Sequence, residues 1–227
     1  MKCLNVLATA LAAAAALALP TTASAGFVWT EKSPGAGDLL ATAQATYDSA
    51  FNSMSGISGA LGNNSGAYEV DLYRIRIDDP LNFSAAVIDG VNDFGLFLFD
   101  AAGAGVFMSD DNPFPDPWIT GAPVAAGLYY LAVALMVSTP VDGLGNSIFD
   151  CLGCATSGPV AGTGALDGWS LNSSFAGSPF NYQVQLVGAT NSDIPEPATA
   201  ALLLAGGIGA WLSSRRRKNT PLTPVAA

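Results

Sequence analysis

The chain contains no histidine. No imidazole is therefore present to act as a general base, to activate a serine or cysteine nucleophile, or to ligate zinc. Cations are nearly as scarce. Between residues 26 and 194, 17 acidic side chains stand against only Lys32, Arg74 and Arg76, a formal charge of −14. Phosphate contacts need cations, so this balance argues against a nucleic-acid ligand or an anionic membrane surface for that part of the chain. Cysteine is limited to Cys3, Cys151 and Cys154. Long amphipathic helical patterns are also missing, and that lack points to an all-β body.

What is present is concentrated first at the two ends. Met1-Lys2 gives a short positive start, residues 4–19 form an Ala/Leu run, and Pro20 breaks it. Ala23-Ser24-Ala25 then supplies a small-x-small triplet, so residues 1–25 are expected to be a signal peptide cut before Gly26 by signal peptidase after passage through the secretion translocon. Cys3 falls in the removed piece. At the other end, residues 198–214 carry no charge. As a helix they would extend about 25 Å at ~1.5 Å per residue, the short end of a transmembrane span. Arg215, Arg216, Arg217 and Lys218 follow directly, a cluster that stays cytoplasmic by the positive-inside rule and leaves residues 219–227 as a cytoplasmic tail.

Pro195-Glu196-Pro197, an apolar helix and an arginine cluster, in that order over residues 195–218, resemble the bacterial PEP-CTERM sorting signal. The resemblance implies an inner-membrane-anchored intermediate, processing by an exosortase near the Pro-Glu-Pro triplet, and an associated exopolysaccharide system. The tail after Lys218 is longer than such signals usually carry.

Residues 26–194 suit one domain. Residues 73–77, Tyr-Arg-Ile-Arg-Ile, alternate apolar with charged side chains, which predicts a strand with Arg74 and Arg76 turned to water. Strands are also expected at 95–100, 128–137 and 182–186, the last with Gln183 and Gln185 outward, and more weakly at 57–61 and 83–88. Only residues 38–54 have a composition compatible with a helix.

Several segments in series resemble the bacterial pre-peptidase C-terminal-like domain. They are Gly37-Asp-Leu-Leu-Ala-Thr-Ala-Gln44, Ile57-Ser-Gly-Ala-Leu61, Asp71-Leu-Tyr-Arg-Ile75, Asp93 to Asp100 with Gly103, Ser109-Asp-Asp-Asn112, Ala126 to Leu131, and Tyr182 to Leu186. The resemblance implies a jelly-roll-like β-sandwich that is itself non-catalytic, with residues 38–54 extended instead of helical. The Gly/Ser-rich stretch 141–180 departs from the family, which often has a short connection there.

Candidate chemistry is sparse. Asp93, Asp100, Asp110, Asp111 and Asp116 bracket the central strand and the turn after it, and loop carboxylates with carbonyls are the donors calcium takes. Some relatives of the resembled domain bind calcium at an Asp-Asp turn, here Asp110-Asp111, and Asp93, Asp110 and Asp111 are the calcium candidates. The competing reading is that these residues form turns by bonding their own backbone. Cys151 and Cys154 make a Cys-x-x-Cys in a Gly/Ser/Thr-rich loop. Redox motif, half a metal site and local disulfide are the alternatives, and an oxidising compartment favours the disulfide. Trp118 and Trp169, placed in loops, are the aromatic candidates for glycan contact, whereas one of Tyr129 and Tyr130 is expected in the core. The reading that results is an exported, non-catalytic cell-surface or extracellular-matrix protein of structural or adhesive role. A carbohydrate-binding module of a biofilm matrix is the alternative, and a secreted hydrolase the second.

Overall fold

The computed structural model describes residues 26–48, 53–62, 70–88, 92–110, 116–122, 124–135, 138–150, 154–171 and 179–192. The expected signal peptide, and the sorting segment with its tail, lie outside these residues. All regular structure among the described residues is β. The strands are Phe27–Thr30 (β1), Gln44–Ala45 (β2), Ser53–Leu61 (β3), Asp71–Ile77 (β4), Ser84–Val87 (β5), Phe94–Asp100 (β6) and Gly105–Ser109 (β7). Trp118–Thr120 (β8), Gly127–Leu135 (β9), Ser138–Asp142 (β10), Thr156–Ser157 (β11), Leu166–Leu171 (β12) and Phe180–Thr190 (β13) complete them.

Hydrogen bonding runs in the order β1-β3-β13-β4-β9-β6-β7-β11, with β2 on β4, and with β5 bridging β13 and β8. The long β13 links two groups of strands. Its Val184 to Val187 pair with β5, and beyond them Ala189 and Thr190 pair with Ile77 and Arg76 of β4. The change of partner occurs at Gly188, which has φ +74°. A Cβ there would lie 2.6 Å from the carbonyl oxygen of Asp79, so the crossing of the β4–β5 link requires glycine on grounds of space as well as conformation. The N–H groups of Asp78 and Asp79 donate to the Gly188 carbonyl across that crossing.

One core lies between the two strand groups. Ile57, Leu61, Ala85, Val87, Ile119, Val184 and Leu186 come from β3, β5, β8 and β13, and they meet Tyr73, Ile75, Phe94, Leu96, Leu98, Leu131 and Val133 from β4, β6 and β9. This arrangement is consistent with a β-sandwich. The apolar run of β6 buries residues on both faces, as a strand without alternation must. Phe94, Leu96 and Leu98 enter the first core, and Phe97 and Phe99 enter a second one.

The second core explains the Gly/Ser-rich stretch. β10 and β12 form an antiparallel pair, and Ile148, Phe149 and Leu166 from this region are buried against Leu72, Phe97, Phe99, Met108, Tyr130 and Ala132. Phe97 and Phe99 each meet both Phe149 and Trp169, with ring centroids 5.4 to 6.3 Å apart. The insertion is therefore the apolar cover for the far face of β4, β9 and β6.

Three expectations change, and the choice left open at 38–54 falls to the extended reading. No helix forms in the described part of 38–54, where the amide of Gln44 ties down the preceding loop. Its Oε1 accepts from the Trp29 Nε1–H at 2.8 Å and from the Lys32 N–H at 2.9 Å, and its Nε2 donates to the Lys32 carbonyl. Both arginines are only partly exposed; Arg76 pairs with Asp78 at 2.8 Å, whereas the Nε of Arg74 is buried. Tyr129 and Tyr130 are both buried, one in each core, since they alternate on a strand covered on both faces. Trp118 and Trp169 sit in strands β8 and β12, not in loops.

Candidate functional site

The carboxylates separate into turn formers and buried groups. Asp100 opens the β6–β7 turn, where its Oδ1 accepts the N–H groups of Ala102 and Ala104, both at 2.9 Å. Asp142 repeats the device after β10, with Oδ1 accepting from Leu144 and Asn146 at 2.9 Å. Each turn has glycine three residues on, Gly103 and Gly145, at φ +85° and +81°. Asp142 does more, because its Oδ2 also accepts from the Gly164 N–H at 3.0 Å and from the Asn146 side chain. Aspartate in an Asp-x-x-Gly loop is thus a backbone acceptor in both places.

The hydrogen bonds from Gly164 and Asn146 hold the Asp142 carboxyl down at about 2, below the ordinary carboxylate value. A depressed folded value means that this stabilisation is complete above about pH 4 and fades as pH falls toward 2. A carboxyl-detected NMR titration should find Asp142 titrating well below the ordinary aspartate value. In Asp142→Asn the loss of melting temperature between pH 4 and pH 2 should be shallower than in the parent.

Of the calcium candidates, Asp93 is exposed just before β6, Asp110 is buried at the end of β7, and Asp111 lies outside the described residues. Asp100 is committed to its turn. Among the described residues no group of three His, Cys, Asp or Glu side chains could hold a metal ion. Cys154 is disulfide-bonded, and Cys151, its expected partner, lies outside the described residues.

The two tryptophans part company. Trp169 packs its ring edge-on against Phe97 and Phe99, and its Nε1–H donates to the Asp38 carbonyl at 2.8 Å. Its ring is spent on the second core. Trp118 is 43 % exposed on β8, opposite Ala86.

One constellation was not singled out from the sequence. Inside the first core the Tyr182 hydroxyl donates to Asp71 Oδ2 at 2.5 Å and lies 2.6 Å from the Tyr73 hydroxyl. With the Tyr182 proton directed at the carboxyl, Tyr73 is the donor to Tyr182. Burial, then the Asp71 carboxyl, push the Tyr73 phenol far above its ordinary value, and burial leads the upward shift of Tyr182 as well. Neutral phenols are thereby held as hydrogen-bond donors in an apolar interior. The signal was legible in the strand alternation, since outward Gln183 and Gln185 force Tyr182 inward with its hydroxyl to satisfy. No protein-family description, curated protein or solved structure matches this chain.

Proposed function

We propose that the chain is an exported, non-catalytic protein of the cell surface or extracellular matrix, sorted by an exosortase and structural or adhesive in role. The observation that carries the reading is the tripartite run at residues 195–218: Pro-Glu-Pro, an uncharged apolar segment, and Arg215 to Lys218. The leader-like residues 1–25 and the disulfide at Cys154 agree with passage into an oxidising compartment. In this reading the body is a jelly-roll-like sandwich of the pre-peptidase C-terminal-like type, with the insertion as its additional layer. The described polar groups fit a scaffold: Asp100 and Asp142 build turns, and Asp71 is sealed beneath two tyrosines. Replacing Pro195 and Pro197 by alanine should leave the protein in the inner-membrane fraction while the parent appears outside the cell. Equal export of variant and parent would refute the role of this triplet.

A second reading, a polysaccharide-binding module of the matrix, is favoured by one feature, the exposed ring of Trp118.

A further inference from the structure

The strands β8, β5, β13, β3 and β1 present an outer face whose composition is unlike that of the acidic chain it belongs to. Register aligns Trp118, Ala86, Gln185, Gly56 and Val28 in one row across all five strands. The next row holds Gln183, Ser58 and Thr30, and Ile88 joins it through its N–H bond to the Gln183 carbonyl. On the other side Thr120, Ser84 and Val187 form a third row. None of these side chains is charged, although residues 26–194 carry a formal charge of −14. Gln183, Gln185, Thr30 and Thr120 are exposed, as are Val28, Ile88, Trp118 and Val187. At ~4.8 Å per strand, the five strands span about 19 Å from Trp118 to Val28.

We infer that this face binds an uncharged polysaccharide chain laid across the strands, with Trp118 stacking on a sugar ring and the amides of Gln183 and Gln185 bonding hydroxyl groups. The chemistry matches on three counts. A sugar ring offers an apolar face of C–H groups to an indole and a rim of hydroxyls to amides, which both donate and accept. Gly56 and Ala86, beside Gln185 in the long row, leave that row low enough for an extended chain. Absence of charge on the face suits a neutral ligand, whereas the acidity of the rest of the body would repel an anionic one. The inference rests on the reading of the chain as a surface protein and names what it would hold there.

The test uses the full secreted protein in native affinity gels containing hydroxyethylcellulose, laminarin or amylopectin, with alginate as the anionic comparison. Retardation by at least one neutral polymer and none by alginate is expected. Trp118→Ala should weaken retardation about tenfold, the scale of one aromatic stacking contact. Gln183→Ala with Gln185→Ala should weaken it as well. Leu144→Ala, an exposed apolar side chain in the Asp142 turn, should leave it unchanged. Melting temperatures equal to the parent's separate lost binding from lost folding.

Retardation by none of the three neutral polymers, or by alginate alone, overturns the inference. So does neutral binding that survives Trp118→Ala in a folded variant. Concentration-dependent dimerisation in sedimentation, abolished by Trp118→Ala, overturns it in favour of a second copy of this chain as the occupant. Failure of C-terminal processing would refute the sorting reading and leave the binding result standing; failure of binding by a correctly processed chain would refute this inference alone.

Discussion

Phe149→Ala should cost about 3–5 kcal/mol of folding stability, the usual toll for removing a buried phenylalanine. Phe149 is 1 % exposed and lies edge-on or tilted to Phe97 and Phe99, at centroid distances of 5.8 and 5.9 Å. It comes from the Gly/Ser-rich insertion, while its ring partners come from the central strand β6. Its loss should therefore be felt by the whole sheet, because the far face of β6 has the insertion as its cover. Chemical denaturation followed by tryptophan fluorescence and by far-ultraviolet circular dichroism should show one shifted transition with both probes. The nearby Leu144→Ala, on a side chain 88 % exposed, should change stability by no more than about 0.5 kcal/mol. Two separate transitions, with the strand signal unmoved, would mean that the insertion is an appendage and not a layer.

Tyr182→Phe should be the most damaging change that removes a single oxygen. It withdraws the donor from Asp71 and the acceptor from Tyr73 at once, both inside the first core. A hydrogen bond to a buried carboxyl contributes about 1.5–3 kcal/mol, against about 1 kcal/mol for one between neutral groups. Tyr73→Phe leaves the Tyr182–Asp71 bond in place and should cost less. The same pair sets an alkaline limit. Both phenols are shifted upward in the fold, so their stabilisation is complete below the ordinary phenol value near 10. Above it the unfolded chain releases protons that the folded chain retains. The folding equilibrium should then fall about tenfold per pH unit for each such tyrosine, until the protein unfolds. Spectrophotometric titration of the phenols should show a fraction that ionises only as the circular dichroism collapses, and in Tyr73→Phe that fraction should be smaller. Ionisation of every tyrosine near pH 10 with the fold intact would contradict the buried relay.

The strands were legible where one face met water and the other met the core. Alternation in 182–186 placed Gln183 and Gln185 outward and Val184 inward, as found. Where a strand is covered on both sides the pattern lost its direction. β6 up to Phe99 and all of β9 lack charged side chains, so no polar alternation showed that Tyr129 and Tyr130 enter different cores. Arg74 misled for the same reason, because the far face of β4 meets the second core instead of solvent. The insertion was opaque since its Gly/Ser-rich composition hides three widely spaced anchors, Ile148, Phe149 and Leu166, whose partners are dozens of residues away. Loop composition also pointed Trp169 outward, but a tertiary contact claimed its ring. The turn role of Asp100 was readable from Asp-x-x-Gly, and Asp142 carries the same spacing. Asp71 was readable only as part of a strand, since its partner Tyr182 is 111 residues away in sequence.

The proposed export and sorting are tested most directly on protein found outside the cell. Terminal-peptide mass spectrometry of the protein recovered outside it should find Gly26 as the first residue, a last residue at or close to Pro195-Glu196-Pro197, and no peptide from residues 198–227. An extracellular chain that still carries residues 4–19, or that still ends at Ala227, would contradict the proposal.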